Sequence, residues 1–130
     1  MKLKKTSITN YRCFKEAEID FDEHTTLIVG KNGAGKTAIL DAVAVAISTF
    51  LLGIDGGVSR SISKDDARYE FYDLDGTVDP QHQFPVSIES TGDCLDNHDV
   101  KWVRSLNSES GNTTVKEARE LTNISKNTQK

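Results

Sequence analysis

Cysteine and proline are scarce in this chain of 130 residues, with two of each. Cys13 and Cys94 cannot build a disulfide scaffold, and without C-x-x-C or H-x-x-x-H spacing they do not mark a zinc site with His82 and His98. No apolar run approaches the ~20 residues that span a bilayer. The longest is Ala42–Ile47. The opening MKLKKTSITNYR has basic residues but no apolar core behind them, so no secretory signal is visible. Positive charge is not in excess either. Lys and Arg number 16 against 20 Asp and Glu, a net charge of -4, which excludes a generally basic nucleic-acid binder. There is no internal repeat and no low-complexity tract. What is present is an ordinary globular composition, 36% hydrophobic and 28% charged. The expectation is a cytoplasmic, reduced protein with no membrane association.

Charge is unevenly spread. Residues 65–99 hold ten acidic residues and one basic residue, Arg68. Such a surface repels phosphate backbones, so any nucleic acid met in a larger assembly is not met there. Lys2, Lys4, Lys5, Arg12 and Lys15 make a modest basic cluster, read as a solvated strand face.

The hydrophobic periods suggest mixed α/β structure. Residues 3–11 read as a strand. Residues 16–21 alternate, with Ala17, Ile19 and Phe21 opposite Glu16, Glu18 and Asp20. Thr25–Val29 is short and apolar, as a buried central strand should be. A helix is expected over about 36–51, with Ile39, Val43, Ile47 and Phe50 on its inner stripe and Leu40, Ala44 and Leu51 widening it. Ser63-Lys64-Asp65-Asp66 suits a capped short turn. An antiparallel segment is expected over about 69–105, with strands at 69–72, 84–90 and 99–105 and Trp102 in the core. Thr114 and Glu117 fit a capping box, opening a helix over about 114–126 whose thin stripe (Val115, Ala118, Leu121, Ile124) suggests a partner outside the chain. Cys13 beside Phe14 reads as a small core residue.

The chemistry lies in residues 30–37, GKNGAGKT, which fit G-x-x-x-x-G-K-[ST] without exception. The motif leaves the apolar strand and opens the helix, the context it needs. Gly30 turns the chain off the strand. Gly33 and Gly35 let peptide N–H groups approach an oxygen closely. The N–H groups from about Asn32 to Thr37 then form a concave nest for a polyphosphate, with the positive end of the helix dipole behind it. Lys36 reaches the β- and γ-phosphates and is the candidate catalytic residue. Thr37 offers its hydroxyl to Mg²⁺.

The two strands before the motif, with Asn10-Tyr11-Arg12-Cys13-Phe14 and then LIVGKNGAGKTAILDAVAVAI (27–47), resemble the nucleotide-binding heads of the SMC/RecF/OLD branch of ABC-type P-loop ATPases. The bacterial RecF-like ATP-binding family, which includes the PtuA ATPase of Septu and retron anti-phage systems, is the nearest resemblance. It covers residues 1 to about 68 and thins beyond 90. It implies an α/β head lobe with an antiparallel layer beside the P-loop strand and helix. It also implies ATP and Mg as cofactors, with Gly30, Asn32, Gly33, Ala34, Gly35, Lys36, Thr37 and Ala38 at the phosphates and Thr37 on the metal. Arg12 would lie near the phosphates, and Asp65 and Asp66 fall where such heads place a loop beside the nucleotide, although a helix-capping role suits them equally. The implied partners are a second ATPase head and an HNH-type nuclease.

Other parts of that family's pattern are missing. No aliphatic run ends in Asp-Glu as a Walker B does, and there is no LSGGQ-like signature, Q-loop or histidine switch. Residues 1–130 therefore read as an N-terminal lobe, and hydrolysis by these residues alone is not expected. A switch that binds nucleotide without turnover is the alternative. A GTPase is weaker, because Asp73-Leu74-Asp75-Gly76 fits D-x-x-G but no N-K-x-D motif follows it.

Overall fold

A computed structural model describes residues 2–21, 33–54, 60–74 and 76–127. The strand Lys2–Tyr11 (β1) turns through Arg12 and Cys13 into Phe14–Asp20 (β2). On β2, Ala17 and Ile19 are half-buried while Glu16, Glu18 and Asp20 stay in water. The long hairpin Val86–Cys94 (β5) and Asn97–Leu106 (β6) completes an antiparallel four-stranded sheet of order β2-β1-β5-β6. Its inner face is set by register: Ile8 lies opposite Ile88, Thr6 opposite Ser90, and Ser90 opposite Trp102. Thr6 and Ser90 are fully buried and share a hydroxyl hydrogen bond of 3.2 Å, so neither polar group is stranded. The backbone at Asn10 is left-handed (φ 52°), which breaks the pleat and turns Tyr11 into the core.

The helix Gly33–Ser48 (α1) packs on that face and runs into a 3-10 turn, Thr49–Gly53. It therefore starts three residues before the expected Lys36, because Gly33 and Gly35 are already helical. Its inner stripe is also not the one expected. Ala38, Ala42, Val45, Ala46 and Thr49 are buried, whereas Leu40, Ile47 and Leu51 are exposed. The reason is volume. The large side chains on this interface come from the sheet, where Ile8, Tyr11, Val86, Ile88 and Leu106 are fully buried, so the helix presents small residues to them. Trp102 donates from Nε1 to the Ala46 carbonyl at 3.0 Å, satisfying one of the carbonyls that a helix end leaves unpaired. Thr49 Oγ1 bonds the Val45 carbonyl at 2.8 Å. The stretch Gly35–Gly53 is long and apolar enough to cross a membrane, with mean hydropathy 1.6, but one face of it carries these core contacts.

Tyr69–Leu74 (β3) and Thr77–His82 (β4) form a separate two-stranded ribbon. β4 was not expected as a strand because it contains Pro80, yet a two-stranded ribbon has free edges where a missing N–H is tolerated. β5 and β6 run to Cys94 and begin at Asn97, so the expected strands at 84–90 and 99–105 are one continuous hairpin. The C-terminal helix Arg119–Asn127 (α2) follows a 3-10 turn, Lys116–Ala118. The expected capping box at Thr114 is not made. Thr114 Oγ1 instead accepts from the Ser105 amide at 3.0 Å, and Val115 occupies the cap position without a side-chain bond. Nor does α2 need an outside partner for its apolar stripe. Ala118 and Leu121 bury against Cys94, Val100 and Trp102, leaving only Val115 exposed. Gly53 permits this packing: a Cβ there would meet Ser125 Oγ at 1.9 Å and the Thr122 carbonyl at 2.2 Å.

Candidate nucleotide site

The first turns of α1 carry the motif's second half. Gly33 and Ala34 are helical, Gly35 is half-buried, Lys36 and Thr37 are exposed, and Ala38 is buried against the sheet. Gly30, Lys31, Asn32 and the expected strand Thr25–Val29 lie outside the described residues. The alternation explains the placement: Ala38 anchors the turn inward, so its two neighbours before it point to solvent. Lys36 makes no ion pair among the described residues. An exposed ammonium and an exposed hydroxyl at a helix start fit a Mg-bound polyphosphate.

The β1–β2 turn rests on this helix start. A Cβ on Gly35 would sit 3.6 Å from Phe14 Cζ and 4.0 Å from Cys13 Sγ. Cys13 is exposed, not a core residue as its composition suggested. Arg12 has a left-handed φ of 52°, unusual for a long side chain. Its amide donates to the Asp66 carbonyl, and the Arg68 amide donates to the Asn10 carbonyl at 2.9 Å. These bonds hold the turn against the segment 66–68.

The Arg12 guanidinium bridges two carboxylates. Nε bonds Asp66 Oδ1 at 3.0 Å, and Nη1 pairs with Asp41 on α1, to which Arg60 adds a contact at 3.3 Å. Asp41 is four residues after Thr37, about 6 Å further along the helix, so Arg12 lies on the flank of the P-loop helix. Partial burial would raise the Asp41 carboxyl, but the bond from Arg12 and the charge of Arg60 hold it below the usual carboxylate range. Burial would likewise lower Arg12, and the bonds to Asp41 and Asp66 carry it above its ordinary value. Asp66 also accepts from the Ser63 amide at 2.9 Å and so caps its own turn, Lys64–Asp66. Asp65 is exposed. Tyr11 is fully buried beside this cluster, and its hydroxyl has no hydrogen-bond partner among the described residues. Burial, with Asp66 next, pushes its pKa up to about 12.

Asp41 and Arg60 were not singled out from the sequence. Asp41 lies within the segment 27–47, but its partners stand far away in the chain and only the fold brings them together. The basic N-terminal cluster is largely neutralised. Lys4 pairs with Asp93 and Asp99, Lys5 with Glu18, and Arg12 as above. His82 bonds the Ala67 carbonyl at 3.1 Å and lies 4.2 Å from the Tyr69 ring, while Cys94 is buried under Trp102.

A mixed α/β lobe in which Gly-Lys-Thr opens a helix beneath an antiparallel sheet defines a P-loop NTPase of the SMC/RecF-like, ABC-type head class. The chain belongs to the AAA domain family, whose pattern matches residues 5–130. Among curated proteins it is 54% identical over 43 residues to the DNA replication and repair protein RecF of Flavobacterium johnsoniae, covering 33% of this chain and 12% of that protein. It is 48% identical over 44 residues to the DNA double-strand break repair Rad50 ATPase of Archaeoglobus fulgidus, covering 34% and 5%. The RecF protein of Actinobacillus pleuropneumoniae is 32% identical over 100 residues, 73% of this chain and 26% of the relative. The chain thus spans about a quarter or less of the curated relatives it matches.

Proposed function

We propose that this chain is the Mg-ATP-binding lobe of an ATPase head that works in DNA repair or a related DNA transaction. The observation that carries the reading is the helix start at Gly33, with Lys36 and Thr37 facing outward and the Arg12 turn packed against Gly35. Amides from Asn32 to Thr37 grip the phosphates, Gly30, Gly33, Ala34 and Gly35 leave room for them, and Ala38 anchors the cradle. Thr37 supplies an oxygen to Mg²⁺, and Lys36 neutralises the terminal phosphates. Arg12 stands ready to exchange a carboxylate for a phosphate oxygen. Turnover follows when a second head closes over the nucleotide, since phosphoryl transfer depends on positioned charge around the leaving group.

Titration of the full chain with ATP and GTP tests this. Mg-ATP should bind, and Lys36→Ala should weaken it at least about tenfold, the loss of one charge-assisted contact. A tenfold preference for GTP would overturn the adenine reading. The second reading is a nucleotide switch without turnover, whose shape a partner reads. Phosphate release absent from a clean preparation would support it. Release that survives Lys36→Ala would come from a contaminant. The resemblance to the PtuA-containing family adds a finer proposal, a cytoplasmic anti-phage role with an HNH-type nuclease as partner, which co-purification of the two would test.

A further inference from the structure

The two carboxylates that Arg12 bridges are not equivalent. Asp66 is tied to Arg12 twice, by Nε to its Oδ1 at 3.0 Å and by the Arg12 amide to its carbonyl. Its other oxygen, Oδ2, accepts from the Ser63 amide at 2.9 Å and from Ser63 Oγ at 3.3 Å. Releasing Asp66 would disturb the turn Lys64–Asp66 together with the Arg12 contact. Asp41 is held differently. Arg12 Nη1 meets its Oδ2, and Arg60 Nη1 meets its Oδ1 at 3.3 Å. One carboxylate thus faces two guanidinium groups, one on each oxygen. If Arg12 departs, Asp41 still has a cation. Arg60 is fastened independently, because its amide donates to Ser48 Oγ at 2.9 Å, at the far end of α1.

We infer that Asp41 is a latch on nucleotide binding and that Arg60 is the cation that relieves it. The arriving phosphates take the outer end of Arg12, Asp66 keeps the Nε end, and Asp41 passes to Arg60. The latch rests on the nucleotide reading above and adds the regulation of that same site. Asp41 lies one turn beyond Thr37 on the same helix, about 6 Å along its axis, so the outer end of Arg12 has a short way to travel. Arg12 and Asp41 are only partly buried, so packing does not lock the pair. Arg12 makes a single bond to Asp41, whereas phosphate oxygens can take the two outer nitrogens of a guanidinium side by side. Abandoning a partly buried acid is costly when it is left without a cation, and Arg60 removes that cost. The pairing also serves the empty site, where Lys36 and the positive end of α1 would repel an unpaired Arg12. Asp41 therefore holds back part of the affinity for phosphate until nucleotide competes for Arg12.

Calorimetric titration of the full chain with Mg-ATP, run as double-mutant cycles, tests the latch. Asp41→Asn should lower the dissociation constant about fivefold, the worth of one partly exposed ion pair, while also lowering the melting temperature at neutral pH. A residue that merely shaped the fold would lose affinity along with stability. Arg60→Gln should act in the opposite direction and raise the dissociation constant about threefold. In an Arg12→Gln background both effects should vanish, because the latch acts only through Arg12. If that variant fails to fold, the Asp41→Asn background serves instead, and there Arg60→Gln should change nothing. Effects that persist in either background mean that these charges act on the phosphates directly, which overturns the latch. Wild-type binding that Asp41→Asn leaves unchanged, or weakens, also overturns it and leaves the nucleotide reading intact. A wild-type chain that binds no nucleoside triphosphate sinks both.

Discussion

Arg12 and Tyr11 show how single side chains define the edge of the site. Arg12 holds two carboxylates in a partly buried setting, so Arg12→Ala should cost about 1–3 kcal/mol in denaturant unfolding, because it leaves Asp41 and Asp66 without their shared donor. Asp41 has its folded pKa below its unfolded value of 3.8, so the unfolded chain binds the extra proton and stability falls as pH drops through that region. Thermal melts from neutral pH down to about pH 3 should show that loss in wild type and a shallower one in Asp41→Asn. Equal acid limbs would contradict the assigned bond. Tyr11 carries a buried hydroxyl with no partner among the described residues, at a site where burial raises its pKa to about 12. Tyr11→Phe should therefore be neutral or stabilising by up to about 1 kcal/mol at pH 7, since it removes an unsatisfied polar group. It should also blunt the stability loss between the ordinary tyrosine pKa of 10.0 and about 12, where only the unfolded chain gives up its proton.

Among the elements, those with a period-two pattern were legible and the helices only partly so. Phe14–Asp20 could be read from its alternation because water on one face sorts Glu16 and Glu18 from Ala17 and Ile19. The inner face of α1 could not be read from hydrophobicity. Leu40 and Ile47 are larger than Ala38 and Ala42, but the sheet had already filled the interface with Ile8, Tyr11, Val86, Ile88 and Leu106. The distinction is measurable. Ala42→Leu should overpack the interface and cost about 1–3 kcal/mol, whereas Leu40→Ser and Ile47→Ser, at half-exposed positions, should stay within about 0.5 kcal/mol. Thr114 illustrates a different failure, since a capping box is a local signal and Thr114 is claimed by Ser105 from the neighbouring strand. The motif could be read because it is contiguous, and its residues from Gly33 onward open α1. The Arg12–Asp41–Asp66 cluster could not, with Asp66 lying 54 residues from Arg12.

For the molecule as a whole, the sheet, α1 and the Arg12 turn converge on one end of one helix, so nucleotide there should stabilise the entire lobe. Ligand at 100 times its dissociation constant adds about 2.7 kcal/mol to a folded state that alone binds it, which should raise the melting temperature by several degrees. The most direct measurement is isothermal titration calorimetry of the full chain with ATP, with and without magnesium, in wild type and Lys36→Ala. The account predicts a saturable, magnesium-dependent heat that the substitution removes. No magnesium-dependent heat with any nucleoside triphosphate, or an isotherm indifferent to Lys36, would contradict it.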